Sequence, residues 1–371
     1  MDSLQYLNSL LYPGVGQNVR QKTFPYHDNQ VLTTGTLEYF YFTTALGNPF
    51  LRNKQMPESG SEVYFIQQII GYLQVNVNTT ALANALNELL QQSFLEVSVD
   101  NRVVCKIPGL DFINYTLSDA TADQVVVTRN QTRLFGNVNS DTTLGRKLPL
   151  PIVYNSQSAF RFRFVTTAAA ATAFNTINLK LELKGTQFDK LDYFNWDQVK
   201  QNVYSRVPVT YYETRAIPNA NEQTFQLFNN QGVANNLVSQ TFPLPDSFAF
   251  SLQNIEVFFN QPDVPIDGLT IFNSRITNIL RINVNNVVFW DAVLNTDMTS
   301  ILAGFDQTLT STPDLDLVTF FHNRCSRTLD VPLNIPPASN VSVQLIQPAT
   351  SLGITGEFTI ALRGVETRTL A

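Results

Sequence analysis

Leu95-Glu96-Val97-Ser98-Val99-Asp100-Asn101-Arg102-Val103-Val104 alternates apolar and polar side chains, breaks at Asp-Asn, and resumes apolar. Alternation puts one face of a strand in a core and the other in water, and Asp-Asn suits a tight turn, so the stretch predicts a β-hairpin. The pattern returns as Leu280-Arg281-Ile282-Asn283-Val284-Asn285-Asn286-Val287-Val288-Phe289. Leu95 falls on Leu280, Val97 on Ile282, Val99 on Val284, Asn101 on Asn286 and Val103 on Val288, at an offset of 185 (280 − 95).

Other matches keep the same order and nearly the same offset. Ile66-Gln67-Gln68-Ile69 answers Leu252-Gln253-Asn254-Ile255 at 186 (252 − 66), and Leu148-Pro149-Leu150-Pro151-Ile152 answers Val331-Pro332-Leu333-Asn334-Ile335 at 183 (331 − 148). Phe160, Phe162 and Phe164 alternate as Val341, Val343 and Leu345 do, at 181 (341 − 160). Leu179, Leu181, Leu183, Lys184 and Gly185 answer Phe358, Ile360, Leu362, Arg363 and Gly364 at 179 (358 − 179). A drift without reversal is what two copies of one domain show when loops change length and strands do not. The chain therefore reads as two similar all-β domains in tandem.

With 371 residues there is room for two domains, each with its own core. A composition 44% apolar and 15% charged is that of a globular protein, and Phe 27 and Tyr 13 against Trp 2 and Met 3 suit pleated surfaces. A net charge of −6 with no basic tract gives no drive toward nucleic acid, so no direct sequence-specific binding is expected. Two cysteines, Cys105 and Cys325, at non-equivalent places form no disulfide framework and read as free buried thiols. No secretory leader or apolar run of about 20 residues is evident, which predicts a protein made inside a cell and soluble.

In chain order, residues 1–31 read as an N-terminal arm, with Leu4, Leu7, Leu10 and Leu11 at helical spacing after Asp2-Ser3 and before Pro13-Gly14. The apolar stripe of that helix suits packing on its own fold or a neighbouring subunit, with a membrane surface as the alternative. The first β-domain is expected over 32–185. It opens with Leu37 and Tyr39, echoed by Phe225 and Leu227, and continues with a long strand from Glu62 to Val77. Leu82, Ala85, Leu86, Leu89 and Leu90 predict a helix. Asp123 to Thr128 reads as a short strand, Arg129 to Lys147 as a polar surface loop, and Thr166 to Thr172 as a turn or extended loop. Residues 186–220 read as a linker with a helical stretch between Asp189 and Val203, and residues 221–371 as the second domain. That domain carries a long insertion from Leu294 to Leu329, and the five residues after Glu366 leave no tail to carry function.

Reactive chemistry is sparse. Gly14 and Gly16 lack the Gly-Lys-Ser/Thr of a phosphate loop. His27 and His322 are the two histidines, and any Ser-His-Asp or Cys-His arrangement would need one of them. His322 with Cys325, as His-Asn-Arg-Cys, is two metal ligands without a second pair. Asp314 and Asp316 lack the Gly and Glu of a calcium loop. Asn78, Asn114, Asn130 and Asn340 open glycosylation-like triplets, which an Asn-rich chain produces by chance. No catalytic, cofactor-binding or metal residues are therefore nominated, and no cofactor is expected.

About eight strands per copy with long connections suit a two-sheet sandwich, the jelly roll being its eight-stranded form. The tandem repeat, the helix after the long strand, the long loops in corresponding places and the N-terminal arm together resemble the double jelly-roll major capsid proteins. That lineage includes adenovirus hexon and the coat proteins of tailless, membrane-containing icosahedral bacteriophages. The resemblance covers about residues 32 to 366. It implies a structural protein of the virion, made in the host cytoplasm and not an enzyme, that forms homotrimers whose six jelly rolls make a pseudo-hexagonal capsomer. It also implies contacts with neighbouring capsomers, solvent-facing loops at Arg129 to Lys147 and Leu294 to Leu329, and residues 1–31 turned toward minor capsid proteins or an internal lipid membrane. The chain is compact for that lineage, so large outer towers are not expected.

Two other classes use paired β-sandwiches. A glycan-releasing amidase would gather acidic residues in the cleft between domains, and Glu62, Asp123 and Glu256 are the scattered candidates. A carbohydrate- or receptor-binding protein, such as a viral vertex protein, would present aromatic platforms on loops.

Overall fold

The structure is a computed structural model that describes residues 3–13, 21–43, 62–75, 85, 89–90, 92–117, 146–155, 158–175, 177–217, 223–228, 248–260, 279–293, 299–301, 323–347 and 356–368. The fold is all-β, with two jelly rolls in tandem. The first uses β1 (Gln21–Val31), β2 (Glu38–Tyr41), β3 (Val63–Val75), β4 (Phe94–Val99), β5 (Arg102–Pro108), β6 (Ile113–Leu117), β7 (Arg146–Asn155), β8 (Phe160–Val165) and β9 (Asn178–Phe188). The second uses β10 (Arg206–Ile217), β11 (Gln223–Leu227), β12 (Phe248–Asn260), β13 (Ile279–Val284), β14 (Val287–Val293), β15 (Thr299–Ile301), β16 (Asn323–Ile335), β17 (Val341–Gln347) and β18 (Gly356–Arg368).

In the first copy β1, β9, β3 and β7 pair in that order against β2, β8, β4 and β5. In the second, β10, β18, β12 and β16 pair against β11, β17, β13 and β14. Eight strands of one copy thus have eight counterparts in the other, in the same pairing order. β6 and β15 stand outside the correspondence, because β6 runs parallel to β3 whereas β15 runs antiparallel to β16.

The repeat holds below the level of strands. Asp100 and Asn101 have φ of 49° and 62°, and Asn285 and Asn286 have φ of 50° and 64°, so both hairpins close through a turn with two left-handed residues. Both hairpins bulge at the same place. Pairing jumps from Val97↔Cys105 to Ser98↔Val103 and from Ile282↔Trp290 to Asn283↔Val288. Both turns are clamped to the next strand by the same two hydrogen bonds. The Asp100 amide donates to the Ala159 carbonyl (2.7 Å) and the Ala159 amide returns to Asp100 Oδ1 (2.8 Å). Asn285 and Asn340 repeat the exchange at 2.8 and 3.0 Å.

A second shared device lies at the long strands. Gln67 and Gln253 are extra residues in β3 and β12, opposite Gly185 and Gly364. A Cβ on either glycine would overlap a backbone carbonyl, that of Phe65 or Ser251, so these positions admit only glycine. A third is a buried carboxylate that holds a left-handed phenylalanine. The Phe42 amide donates to Asp28 Oδ2 at 2.6 Å, the Phe228 amide donates to Glu213 Oε2, and both phenylalanines have φ of 59°.

Each copy closes over its own core. Val97, Phe162, Phe164, Leu181 and Leu183 lie in the first, and Ile282, Val343, Leu345, Ile360 and Leu362 at the corresponding places in the second. Burying such side chains contributes about 1.5–3 kcal/mol each before chain entropy is subtracted.

Several expectations move. The first strands of the two copies, β1 and β10, begin at 21 and 206, ahead of the boundaries expected at 32 and 221. Pairing of β1 with β9 and of β10 with β18 makes those strands counterparts, although their side chains share no legible pattern. The stretch expected as a turn or extended loop at Thr166 to Thr172 contains a helix, Ala168–Ala173, because Thr167 caps it by accepting from the Ala170 amide at 3.1 Å. The polar loop ends before Lys147, since β7 starts at Arg146, and the insertion expected through Leu329 gives way to β16 at Asn323. Ala85, Leu89 and Leu90 are helical and buried, whereas Leu82 and Leu86 lie outside the described residues, as does Asp123 to Thr128.

The arm and linker meet on the first jelly roll. Helix α1 (Ser3–Leu10) buries Tyr6 and Leu10 in its core, with the Tyr6 ring 6.2 Å from that of Phe65. The linker forms a single 3₁₀ turn at Leu191–Tyr193 and a helix at Trp196–Ser205, capped by Asn195. Asn195 donates its amide to the Leu10 carbonyl (2.9 Å), and the Tyr12 amide donates to the Tyr193 carbonyl (3.0 Å).

Candidate functional site: the seam between the jelly rolls

Strand β5 ends the β2-β8-β4-β5 sheet of the first copy, and β10 ends the β10-β18-β12-β16 sheet of the second. They run parallel, with Val209 opposite Lys106, and fuse the two into one nine-stranded sheet. Because side chains alternate across a strand, the second copy's sheet serves two cores. Tyr211 and Leu362 face the second core, whereas Tyr212, Ala361 and Val365 join the first.

The seam also holds the largest buried charge cluster among the described residues. After β5 a single helical turn, Gly109–Phe112, places Asp111 at 0% exposure. Arg363, on β18 beside the bulge, is 1% exposed. Its Nε and Nη2 both donate to Asp111 Oδ1, at 2.8 and 2.6 Å, and its Nη1 donates to Asn254 Oδ1 (3.0 Å) and Glu256 Oε2. The Thr210 hydroxyl donates to Asp111 Oδ2 (2.5 Å), and Arg146 Nε lies 4.0 Å from the same oxygen. Two guanidiniums and two carboxylates sum to zero charge, which is how ions survive burial. Further along, Arg368 Nη1 donates to the Val103 carbonyl at 3.4 Å, a further bond across the seam.

Burial would push the Asp111 carboxyl up. The Arg363 and Arg146 charges and the hydrogen bonds from Arg363 and Thr210 together outweigh it and hold it below the usual carboxylate range. Burial draws the Arg146 guanidinium down to about 10, against the pull of Asp111, so it stays charged at neutral pH. Burial pushes the Cys105 thiol up to about 12, with Arg146 opposing and Asp111 adding. It also pushes the Tyr212 phenol well up, with the Asp111 charge second. At the seam the Asp111 carboxyl is thus held ionised by its guanidinium and hydroxyl partners, while burial pushes the Cys105 thiol and the Tyr212 phenol up, an arrangement suited to joining the elements that meet there.

Of the acids weighed for a cleft, Glu256 lies in this cluster, Glu62 precedes β3, and Asp123 is outside the described residues. His27 lies on β1 opposite Glu182, and Cys325 on β16 opposite Val257. Cys105 is a free buried cysteine. Gly14, Gly16, Asp314, Asp316 and His322 lie outside the described residues, as do Asn78 and Asn130. Asn114 lies in β6, and Asn340 is exposed and paired with Asn285. No group of three or more His, Cys, Asp or Glu that could hold a metal ion occurs among the described residues. Sequence reasoning missed Asp111, Arg363, Arg146 and Thr210 as a unit. One signal was present: Arg363 interrupts the apolar run Ile360-Ala361-Leu362 where the other copy has Lys184.

Scanned against protein-family models and against curated proteins, the chain finds no match in either. Among solved structures, similar chains include one from the PBCV-1 virus capsid, a quasi-atomic model, at 10% identity and a TM-score of 0.36, covering 95% of both chains. Another is from the Cowpea mosaic virus top component, naturally occurring empty particles, at 7% identity and a TM-score of 0.28, covering 97% of this chain and 90% of that one. A third, from infectious bursal disease virus strain Gx, has 9% identity and a TM-score of 0.15, covering 95% and 77%.

Proposed function

We propose that this chain is the major capsid protein of an icosahedral virus and assembles as homotrimers whose six jelly rolls form a pseudo-hexagonal capsomer. The observation that carries it is the β5–β10 junction. An edge strand of one jelly roll extends the sheet of the next, so the fold is already joined side to side within one chain. The neutral cluster around Asp111 and Arg363 locks that junction, which suits a brick whose two halves must keep a fixed angle.

The sparse charge is consistent with this role. Lateral faces of a tiled shell are desolvated on assembly, and uncharged polar groups cost less there than unpaired charges. The same resemblance extends the proposal to a tailless bacteriophage with an internal membrane and to residues 1–31 as its point of contact. Tyr6 and Leu10 are spent on the first core, so such a contact would fall to other residues of that arm. For the amidase alternative, the carboxylates gathered between the jelly rolls, Asp111 and Glu256, both accept from Arg363.

Size-exclusion chromatography with light scattering tests the proposal. A stable species of three times 41.7 kDa supports it, and a monomer at every concentration contradicts it.

A further inference from the structure

Eight strands of each jelly roll have a counterpart in the other, yet one pair of equivalent edges is used differently. β10 has β18 on one side and β5 on the other, whereas its counterpart β1, among the described strands, pairs with β9 alone. β5 has β4 on one side and β10 on the other, whereas its counterpart β14, among the described strands, pairs with β13 alone. One chain thus contains a filled β5–β10 junction and leaves β14 and β1 as the matching outer edges.

Exposure follows the same division. In the first copy Val103 is half-buried and Val104 is 1% exposed. At the equivalent places in the second, Val288 and Phe289 are 52% and 49% exposed, and Val287 beside them 59%. Three consecutive exposed apolar residues on an edge strand are a template for pairing, and soluble proteins normally blunt such edges with charge or Pro. The equivalent strand, β5, has β10 beside it on that edge.

We infer that β14 takes β1 of a second copy of this chain, in parallel, repeating in trans the β5–β10 junction. Transferring the register sets Asp291, counterpart of Lys106, opposite Phe24 of the neighbour, counterpart of Val209. The contact is head to tail, because β14 and β1 are different surfaces. Such a contact excludes twofold dimers and gives a ring where its rotation closes and an open filament where it does not; a ring closed by three chains brings six jelly rolls together, as the proposed capsomer requires. The inference rests on the proposed capsomer and specifies its interface.

The test uses the full chain with paired cysteines, Phe24→Cys with Asp291→Cys, and each single substitution as a control. Neighbouring strands lie about 4.8 Å apart, within the span of a disulfide. Oxidation with copper phenanthroline should give covalent dimers and trimers from the double variant on a non-reducing gel and none from the single ones. Separately, Val288→Lys, at an exposed position where an edge charge blocks pairing, should abolish the trimer peak and leave a monomer with an unchanged circular dichroism spectrum. A wild-type trimer with no cross-linking that survives Val288→Lys would overturn this interface and leave the capsid proposal standing. A wild-type monomer with no cross-linking would overturn both. A monomer that floats with phosphatidylcholine vesicles would assign the apolar stretch to lipid instead.

Discussion

Arg363 donates two hydrogen bonds to a single carboxylate oxygen of Asp111, 252 residues away in the chain and in the other jelly roll. Both side chains are sealed from water, so the bond is a commitment between domains. Removing either partner leaves a buried charge without compensation. Arg363→Ala is therefore expected to cost about 3–5 kcal/mol, and Asp111→Ala a similar amount. Urea denaturation checks both. A loss under about 1 kcal/mol for either would show that the cluster does not hold the seam.

The same cluster gives the acid limb of stability a definite sign. Asp111 is held below its ordinary value of 3.8 when folded, so the unfolded chain binds the proton more readily. Its contribution is complete above that value and lost as pH falls through the lower folded one. Thermal melts from pH 6 to pH 2 should fall more steeply below about pH 4 in the wild type than in Asp111→Asn. Parallel curves would contradict the assignment.

Cys105 is buried with its thiol pushed up to about 12, so the thiolate that reacts with alkylating reagents is scarce. Iodoacetamide at pH 8, followed by peptide mapping, should leave Cys105 unmodified in the folded protein and label it fully in urea. Labelling of the native protein at the rate of a free thiol would mean that the seam opens readily.

The shared hairpin makes a paired prediction. Asn101 and Asn286 both carry a left-handed φ, which costs a β-branched residue roughly 1–2 kcal/mol. Asn101→Val and Asn286→Val should both destabilise by about that amount, and Asn101→Gly and Asn286→Gly should be neutral or stabilising. Opposite signs at the two sites, measured by thermal unfolding, would break their equivalence.

The hairpins were the most legible part of the sequence because one turn type demands particular residues and one buried face demands alternation. Leu95 to Val104 and Leu280 to Phe289 therefore disclosed the duplication, and the downward offset located every long strand from β3 and β12 onward. β1 and β10 escaped because edge strands share a role without sharing residues: Phe24-Pro25-Tyr26 answers Val209-Thr210-Tyr211. The Ala168–Ala173 helix escaped because its start depends on one capping hydroxyl, Thr167. The seam cluster was the least legible. Asp111, Arg146, Thr210, Glu256 and Arg363 meet only after both jelly rolls have formed, and no local spacing announces such a meeting.

That two edge-joined jelly rolls form one tile of a six-lobed ring is tested most directly by cryo-electron microscopy of the purified full-length chain, with particle mass measured on the same sample. Particles of three chains whose class averages show six similar lobes around a threefold axis are expected. Two-lobed particles with the mass of one chain, persisting at high protein concentration, would contradict it.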